Sequence, residues 1–201
     1  GNVTVTVADC RVTVNLKMFL QGYYAGGGTM QPVLNNQGVA ALATETDTVL
    51  IELQDPTTFA LVDAAQGVLS TTGLVSATFA PHPFAPYYIA VKHRNTIQTW
   101  SANPVNVDGA SPLYNFSSAA NQAFGNNQIE VQTGVWAMYT GDMDQDEFID
   151  GNDFPYYDVD SFNGVNSVYV NTDLNGDGFV DGNDYPLYDV NSFNGVSSIH
   201  P

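Results

Sequence analysis

Basic residues are almost missing from this chain of 201 residues: four Lys and Arg stand against 21 Asp and Glu, for a net charge of −17. That balance excludes a nucleic-acid binder, which needs a basic footprint. It also excludes a peripheral protein held to anionic lipid by lysine and arginine. No apolar run approaches the roughly 18 residues of a membrane span, so no membrane insertion is expected. Cysteine occurs once, at Cys10, which rules out an intrachain disulfide and a cysteine-rich zinc site. The three histidines, His82, His93 and His200, are scattered and lack metal-ligand spacing. There is no GxSxG, no glycine-rich phosphate loop and no marked Ser/His/Asp set. No catalytic residue is therefore assigned and the chain is not expected to be an enzyme. It opens Gly1-Asn2-Val3-Thr4, already strand-like, so an exported protein would have had its signal removed.

Only 12% of residues are charged, while 44% are hydrophobic and 12% aromatic. An acidic disordered chain would be poor in aromatics, so this one folds. The four bases, Arg11, Lys17, Lys92 and Arg94, all lie in the first 94 positions, whereas thirteen of the 21 acids lie in 141–201. This composition shift predicts a domain boundary near Thr140-Gly141, with a β domain over 1–140 and a second domain over 141–201. Thirteen like charges on the second stretch repel each other in a compact state, and a bound cation would relieve that.

The first 140 residues alternate apolar and polar. Val3, Val5 and Val7 form one series and Val12, Val14 and Leu16 another, a strand pattern. Further strands are predicted over 47–53, 59–62, 67–80, 87–93, 97–101, 113–117 and 135–140, with turn signals between them. Gly22–Asn36 reads as a long loop, and 118–124 as a short helical turn. The expected fold is mainly β: an antiparallel sandwich, Ig-like or related. Trp100 and Trp136 sit in strand patterns and are expected in the core. Cys10 is expected as a small buried apolar residue.

Residues 142–170 align on 173–201 with an offset of 31, and 17 of the 29 positions are identical. This is internal duplication. In the first copy Asp142, Asp144, Asp146, Asp150 and Asp153 fall at places 1, 3, 5, 9 and 12 of a loop. In the second, Asp173, Asn175, Asp177, Asp181 and Asp184 fill the same places. Place 7 supplies a backbone carbonyl, from Phe148 and Phe179. A tightly wound loop that aims alternate oxygens inward suits a hard cation, so two calcium ions are expected. Place 6 needs a sharp turn, which Gly178 allows and Glu147 resists, so the first loop is expected to be the weaker. Asp153 and Asp184 precede Phe-Pro and Tyr-Pro, the signature of a capped helix start. Helices are predicted over 154–162 and 185–193, each stopped by Asn-Gly. Asp158, Asp160 and Asp189 are expected on exposed helix faces. No amphipathic helix precedes either loop, so each unit is a loop followed by one helix.

Two such units, DMDQDEFIDGNDFPYYDVDSFNGV and DLNGDGFVDGNDYPLYDVNSFNGV, resemble type I dockerin domains, and the resemblance covers 142–201. It implies two calcium ions and a protein partner of the cohesin kind. In dockerins places 10 and 11 help select that partner; here they are Gly151-Asn152 and Gly182-Asn183. More loosely, LKMFLQGYYAGGGTM and YYIAVKHRNTIQTWSANPVNV resemble β modules found beside dockerin-like repeats in secreted Bacteroidota surface proteins. That implies an extracellular, cell-surface location. The function expected from these readings is a non-enzymatic, calcium-stabilised structural or adhesive module, as in a surface layer or filament, acting through a protein partner or self-assembly. The alternative is a binding module, either a dockerin docking to a cohesin-like receptor or a carbohydrate binder. Strands rich in Thr, Val, Asn and Gln with almost no Lys leave edges open for pairing, and Val3–Val7 is the first candidate for strand addition.

Overall fold

The computed structural model describes residues 11–40, 42–83, 85–107 and 113–201. Cys10 and the expected first strand Val3–Val7 lie outside the described residues. The strands, in chain order, are β1 (Val12–Lys17), β2 (Tyr24–Gly26), β3 (Thr29–Met30), β4 (Glu45–Gln54), β5 (Leu61–Ser70), β6 (Leu74–Phe79), β7 (Ala85–His93), β8 (Thr96–Trp100), β9 (Val105–Val107), β10 (Leu113–Asn115), β11 (Ile129–Gln132) and β12 (Val135–Ala137). A helical turn, α1 (Val33–Asn36), precedes β4; α2 (Phe154–Phe162) and α3 (Tyr185–Phe193) occupy the two spans the sequence predicts.

Two sheets face each other. One has the order β10-β1-β6; the other runs β5-β4-β7-β8, with β9 also on β7. Period two decides what each strand buries. Val12, Val14 and Leu16 of β1 meet Val49, Ile51 and Leu53 of β4 and Ile89 and Val91 of β7 in one apolar core. The predicted β-sandwich is thus present, and the chain is mainly β. Some details differ from expectation. The strands expected over 59–62 and 67–80 are instead β5 and β6, joined at a turn: Phe59, at φ 57°, lies outside β5, and Asp63–Gln66, poor in β-branched residues, is carried into β5 by its pairing with β4. The Gly22–Asn36 loop holds the β2–β3 hairpin and α1, and β9 and β11 were not foreseen. Short 3-10 turns fill Phe116–Asn126, where the short helical turn was expected. Trp100 is buried, as expected; Trp136 is only half-buried.

The sandwich does not end in solvent on the β8 side. All five residues of β8 are buried, because a second core lies against them: Ile97 packs with Met143, Ile149, Tyr157, Leu174, Val180 and Tyr188. The composition boundary at Thr140-Gly141 falls inside a buried seam. Gly141 N–H donates to Asn95 C=O at 2.7 Å. Asn191 Nδ2 donates to Thr140 C=O and to Gln21 Oε1, each at 2.7 Å.

One ionic node ties the layers. Asp47, on β4, is fully buried. Its Oδ2 accepts from Arg94 Nε at 2.9 Å and lies 3.1 Å from His93 Nε2, while Tyr169 OH and Thr48 N–H donate to Oδ1 at 2.6 and 2.7 Å. Burial alone would raise the Asp47 pKa, but the charge and hydrogen bond of His93, with Arg94 and Tyr169, hold it well below the carboxylate range. The stability it contributes is therefore complete above its unfolded value and is lost as pH falls through and below that value. Asp47→Asn should cost about 3 kcal/mol at pH 7, since it leaves Arg94 buried without its anion. Urea unfolding should show this deficit shrinking below about pH 4.

Candidate metal centre

Each helix is preceded by a loop that is held by its own carboxylates. In the first, Asp144, Asp146 and Asp150 accept from the N–H two residues ahead, on Asp146, Phe148 and Asn152, at 3.3, 3.0 and 2.7 Å. In the second, Asn175, Asp177 and Asp181 do the same to Asp177, Phe179 and Asn183, at 2.8, 2.9 and 2.8 Å. Aspartate and asparagine form such side-chain turns readily, and they wind the chain so that alternate places converge.

Place 12 departs from expectation. Asp153 and Asp184 do not cap their helices. Their carboxylates turn back into the loop. Asp153 Oδ1 accepts from Met143 and Asp144 N–H at 2.6 and 3.2 Å, and Oδ2 from Asp150 N–H at 2.9 Å. Asp184 repeats this with Leu174, Asn175 and Asp181 at 2.7, 3.0 and 2.9 Å. A carboxylate has about four acceptor positions, so each retains room for one bond to a cation. The pairing at place 7 uses Glu147 C=O with Ser198 N–H and Ile149 N–H with Val196 C=O, passing over Phe148. In the second loop Ser167 N–H pairs with Gly178 C=O and Val180 N–H with Val165 C=O, passing over Phe179. The apolar neighbours Ile149 and Val180 are buried while Phe148 and Phe179 side chains are exposed, as the pattern requires. The units also brace each other: Tyr157 OH donates to Asp181 C=O at 3.0 Å, and Tyr188 OH to Asp150 C=O at 2.8 Å.

The residues present fit a hard cation. Asp142, Asp144 and Asp146 each offer an oxygen, all within 4.8 Å of one another. Asp142 Oδ1 is buried with no hydrogen-bond partner, an acceptor for which a cation is the natural complement. Burial, with Asp153 nearby, raises Asp142 to about 7. Burial likewise raises Asp184 to about 7 and pushes Asp144, Asp153 and Asp173 upward. These are carboxylates without a countercharge of their own. The donor set is oxygen alone, which suits calcium and not zinc or copper. Asp158 and Asp189 are exposed, and Tyr185 OH donates to Asp189 at 2.8 Å. Asp160, half-buried, accepts from Thr172 Oγ1 at 2.6 Å.

The loops are not equivalent. Places 4 and 6 both need positive φ. Gly176 and Gly178 supply it in the second loop (φ 73° and 94°), while Gln145 and Glu147 are held there in the first (φ 63° and 75°). A residue with a Cβ in that region stores strain. A second difference had no sequence signal: Gln37 Nε2, from the β module, donates to Asp173 Oδ2 at 2.6 Å. Asn35-Asn36-Gln37-Gly38 reads in sequence only as a turn. Glu147→Gly should stabilise the calcium-free chain by about 1 kcal/mol, since the half-exposed Glu147–His200 pair it removes is worth little. Urea unfolding in chelator checks this; an unchanged or lowered midpoint would show that the turn is unstrained.

No protein-family model matches the chain, and no curated protein matches it. Among solved structures it is similar to a chain of a type II Cohesin-X-Dockerin complex from Acetivibrio cellulolyticus bearing a C-terminal interface mutation. That chain is 15% identical, with 92% of this chain and 97% of that one covered, at a TM-score of 0.54. A second complex from the same organism, an N-terminal interface mutant, matches at 16% identity over 90% and 95% of the two chains, with a TM-score of 0.49. At the identity of the first, the likeness is one of fold: a mainly β chain built on a β-sandwich.

Proposed function

We propose that this chain is a non-catalytic, calcium-stabilised protein-docking module of an extracellular surface assembly. The observation that carries the reading is the duplicated set of exposed apolar residues on the two loop–helix units. Phe162 and Phe193 are each 90% exposed, and Val159 and Val190 are 56% and 52% exposed. Phe148 with Phe179 and Phe154 with Tyr185 are further exposed pairs at equivalent places. Single exposed apolar residues are ordinary, but a set repeated at the same places in two copies marks an interaction surface. Both helices rest on loops whose carboxylates need a cation, so calcium would hold that surface in shape. Asp142, Asp144, Asp146, Asp150 and Asp153, with the Phe148 carbonyl, would hold one ion. Asp173, Asn175, Asp177, Asp181 and Asp184, with the Phe179 carbonyl, would hold the other. The ions would supply positive charge and no reaction chemistry. The resemblance of 142–201 to dockerins supports a cohesin-like partner, and the cohesin–dockerin partnership named for the similar solved complex supports a protein partner more generally.

A second reading, self-assembly into a layer or filament, has its own support. Among the described residues β5 ends its sheet, runs ten residues and exposes Leu61, Val62 and Val68. Such an edge is open to strand addition.

Calorimetry should show about two calcium ions per chain. Chelation should lower the thermal midpoint and expose 142–201 to hydrogen exchange. Binding to a panel of immobilised cohesin modules should require calcium and be lost in Phe162→Ser/Phe193→Ser. Sedimentation into polymers that the double variant leaves intact would favour the edge-strand reading. Glycan binding with neither would overturn both.

A further inference from the structure

We infer that Gln37, a residue of the β module, positions the first carboxylate of the second loop and so sets that loop's calcium affinity from outside the loop. The inference rests on the calcium reading above. Gln37 follows α1 and is buried. Its Nε2 donates to Asp173 Oδ2 at 2.6 Å, and its Oε1 accepts from Arg94 Nη2 at 3.0 Å. A guanidinium only donates and a carboxylate only accepts. A side chain between them must therefore offer one acceptor and one donor at fixed separation, and an amide does so. Arg94 is itself fixed: its Nε donates to Asp47 at 2.9 Å, its Nη2 donates to Tyr23 OH at 2.8 Å, and its guanidinium lies 4.2 Å over the Tyr169 ring.

The loop side is equally constrained. Gly176 N–H donates to Asp173 Oδ1 and Gly178 N–H to Oδ2, each at 2.8 Å. Asn36 Nδ2 donates to Gly176 C=O at 2.7 Å. A Cβ at Gly178 would lie 2.7 Å from Asn36 O, and one at Gly176 would lie 2.4 Å from Val33 Cγ2. Both glycines thus close against α1. In the first loop Asp142 Oδ2 accepts from Glu147 N–H at 3.3 Å, and among the described residues its buried Oδ1 has no hydrogen-bond partner. Outer partners that orient a ligand typically change metal affinity about 10–100-fold when removed. Among the described residues the second loop has such a partner at place 1 and the first does not.

Asp146→Ala leaves the second loop as the test site, and Asp177→Ala leaves the first. In the Asp146→Ala chain, Gln37→Met, which keeps length and removes the donor, should weaken calcium binding about tenfold or more. Gln37→Asn, which keeps an amide but falls short by a methylene, should do likewise and guards against a folding defect of the first variant. In the Asp177→Ala chain the same changes should leave affinity within about twofold, since the loop carboxylate that Gln37 holds is Asp173 of the second loop. Unchanged affinity of the second loop, or an equal loss at both, would overturn the inference. A parent chain that takes up no calcium would overturn the calcium reading itself, before any Gln37 variant is compared.

Discussion

Thirteen carboxylates and no lysine or arginine share residues 141–201. Nine of the thirteen are drawn into two turns of chain by the spacing of the repeat, so they cannot disperse over the surface. Their mutual repulsion is the constraint to which the rest of the structure answers. Some relief is local, because each carboxylate accepts backbone N–H groups within its own loop, and hydrogen bonds to the ionised form favour it. That relief is incomplete: Asp142 and Asp184 remain raised to about 7 by burial. A pair of divalent cations would cancel four charges where they are densest, and the helices that follow the loops depend on how this is done.

The β module supplies the other answer. It holds all four basic residues, and Arg94 spends its charge in the buried layer facing the second loop. Its partners there are an anion, a tyrosine hydroxyl and an amide oxygen, so it is paired rather than stranded. It does not touch the loop carboxylates directly. Gln37 stands between, passing a donor to Asp173 without forming a direct ion pair that would compete with a cation for the same oxygen. A loop clamped by arginine would be a poor cation site; a loop oriented by an amide keeps the oxygens that a cation would need.

Much of this organisation was legible in the sequence because it rests on period and spacing. Alternation gave β1, β4, β7 and β8, the repeat gave both loops, and Pro with Asn-Gly gave the limits of α2 and α3. What was not legible was tertiary. Asp63–Gln66 is strand only because β4 holds it there. Asp153 and Asp184 carry every local mark of a helix cap, yet loop closure within the same unit claims their oxygens. The seam at Thr140-Gly141 coincides with a change of composition, but composition says nothing about packing, and the two sides share the core around Ile97. Gln37 and Asp47 could not be found from spacing, since Gln37 meets Asp173 136 residues on and Asp47 meets His93, Arg94 and Tyr169 46, 47 and 122 residues on.

Four differences between the two copies follow from that packing. Asn191 donates to two acceptors of the β side, Gln21 and Thr140; an aspartate could not. Its counterpart Asp160 accepts from Thr172 instead. Gly176 and Gly178 lie where the second loop meets α1, and a Cβ at either would collide with it; their counterparts Gln145 and Glu147 meet no such wall and tolerate a left-handed backbone. Leu187 is half-buried near Gly22, while Tyr156 at the same place in the first copy is exposed. The residues the copies share are those that wind a cation loop and start a helix. Among those that differ, Gly176, Gly178, Leu187 and Asn191 lie against the β side. Phe162 with Phe193 and Val159 with Val190 belong to neither group: they are shared, yet exposed in both units and used by neither packing. Internal structure gives no account of them, and the docking function proposed above rests on that exposure.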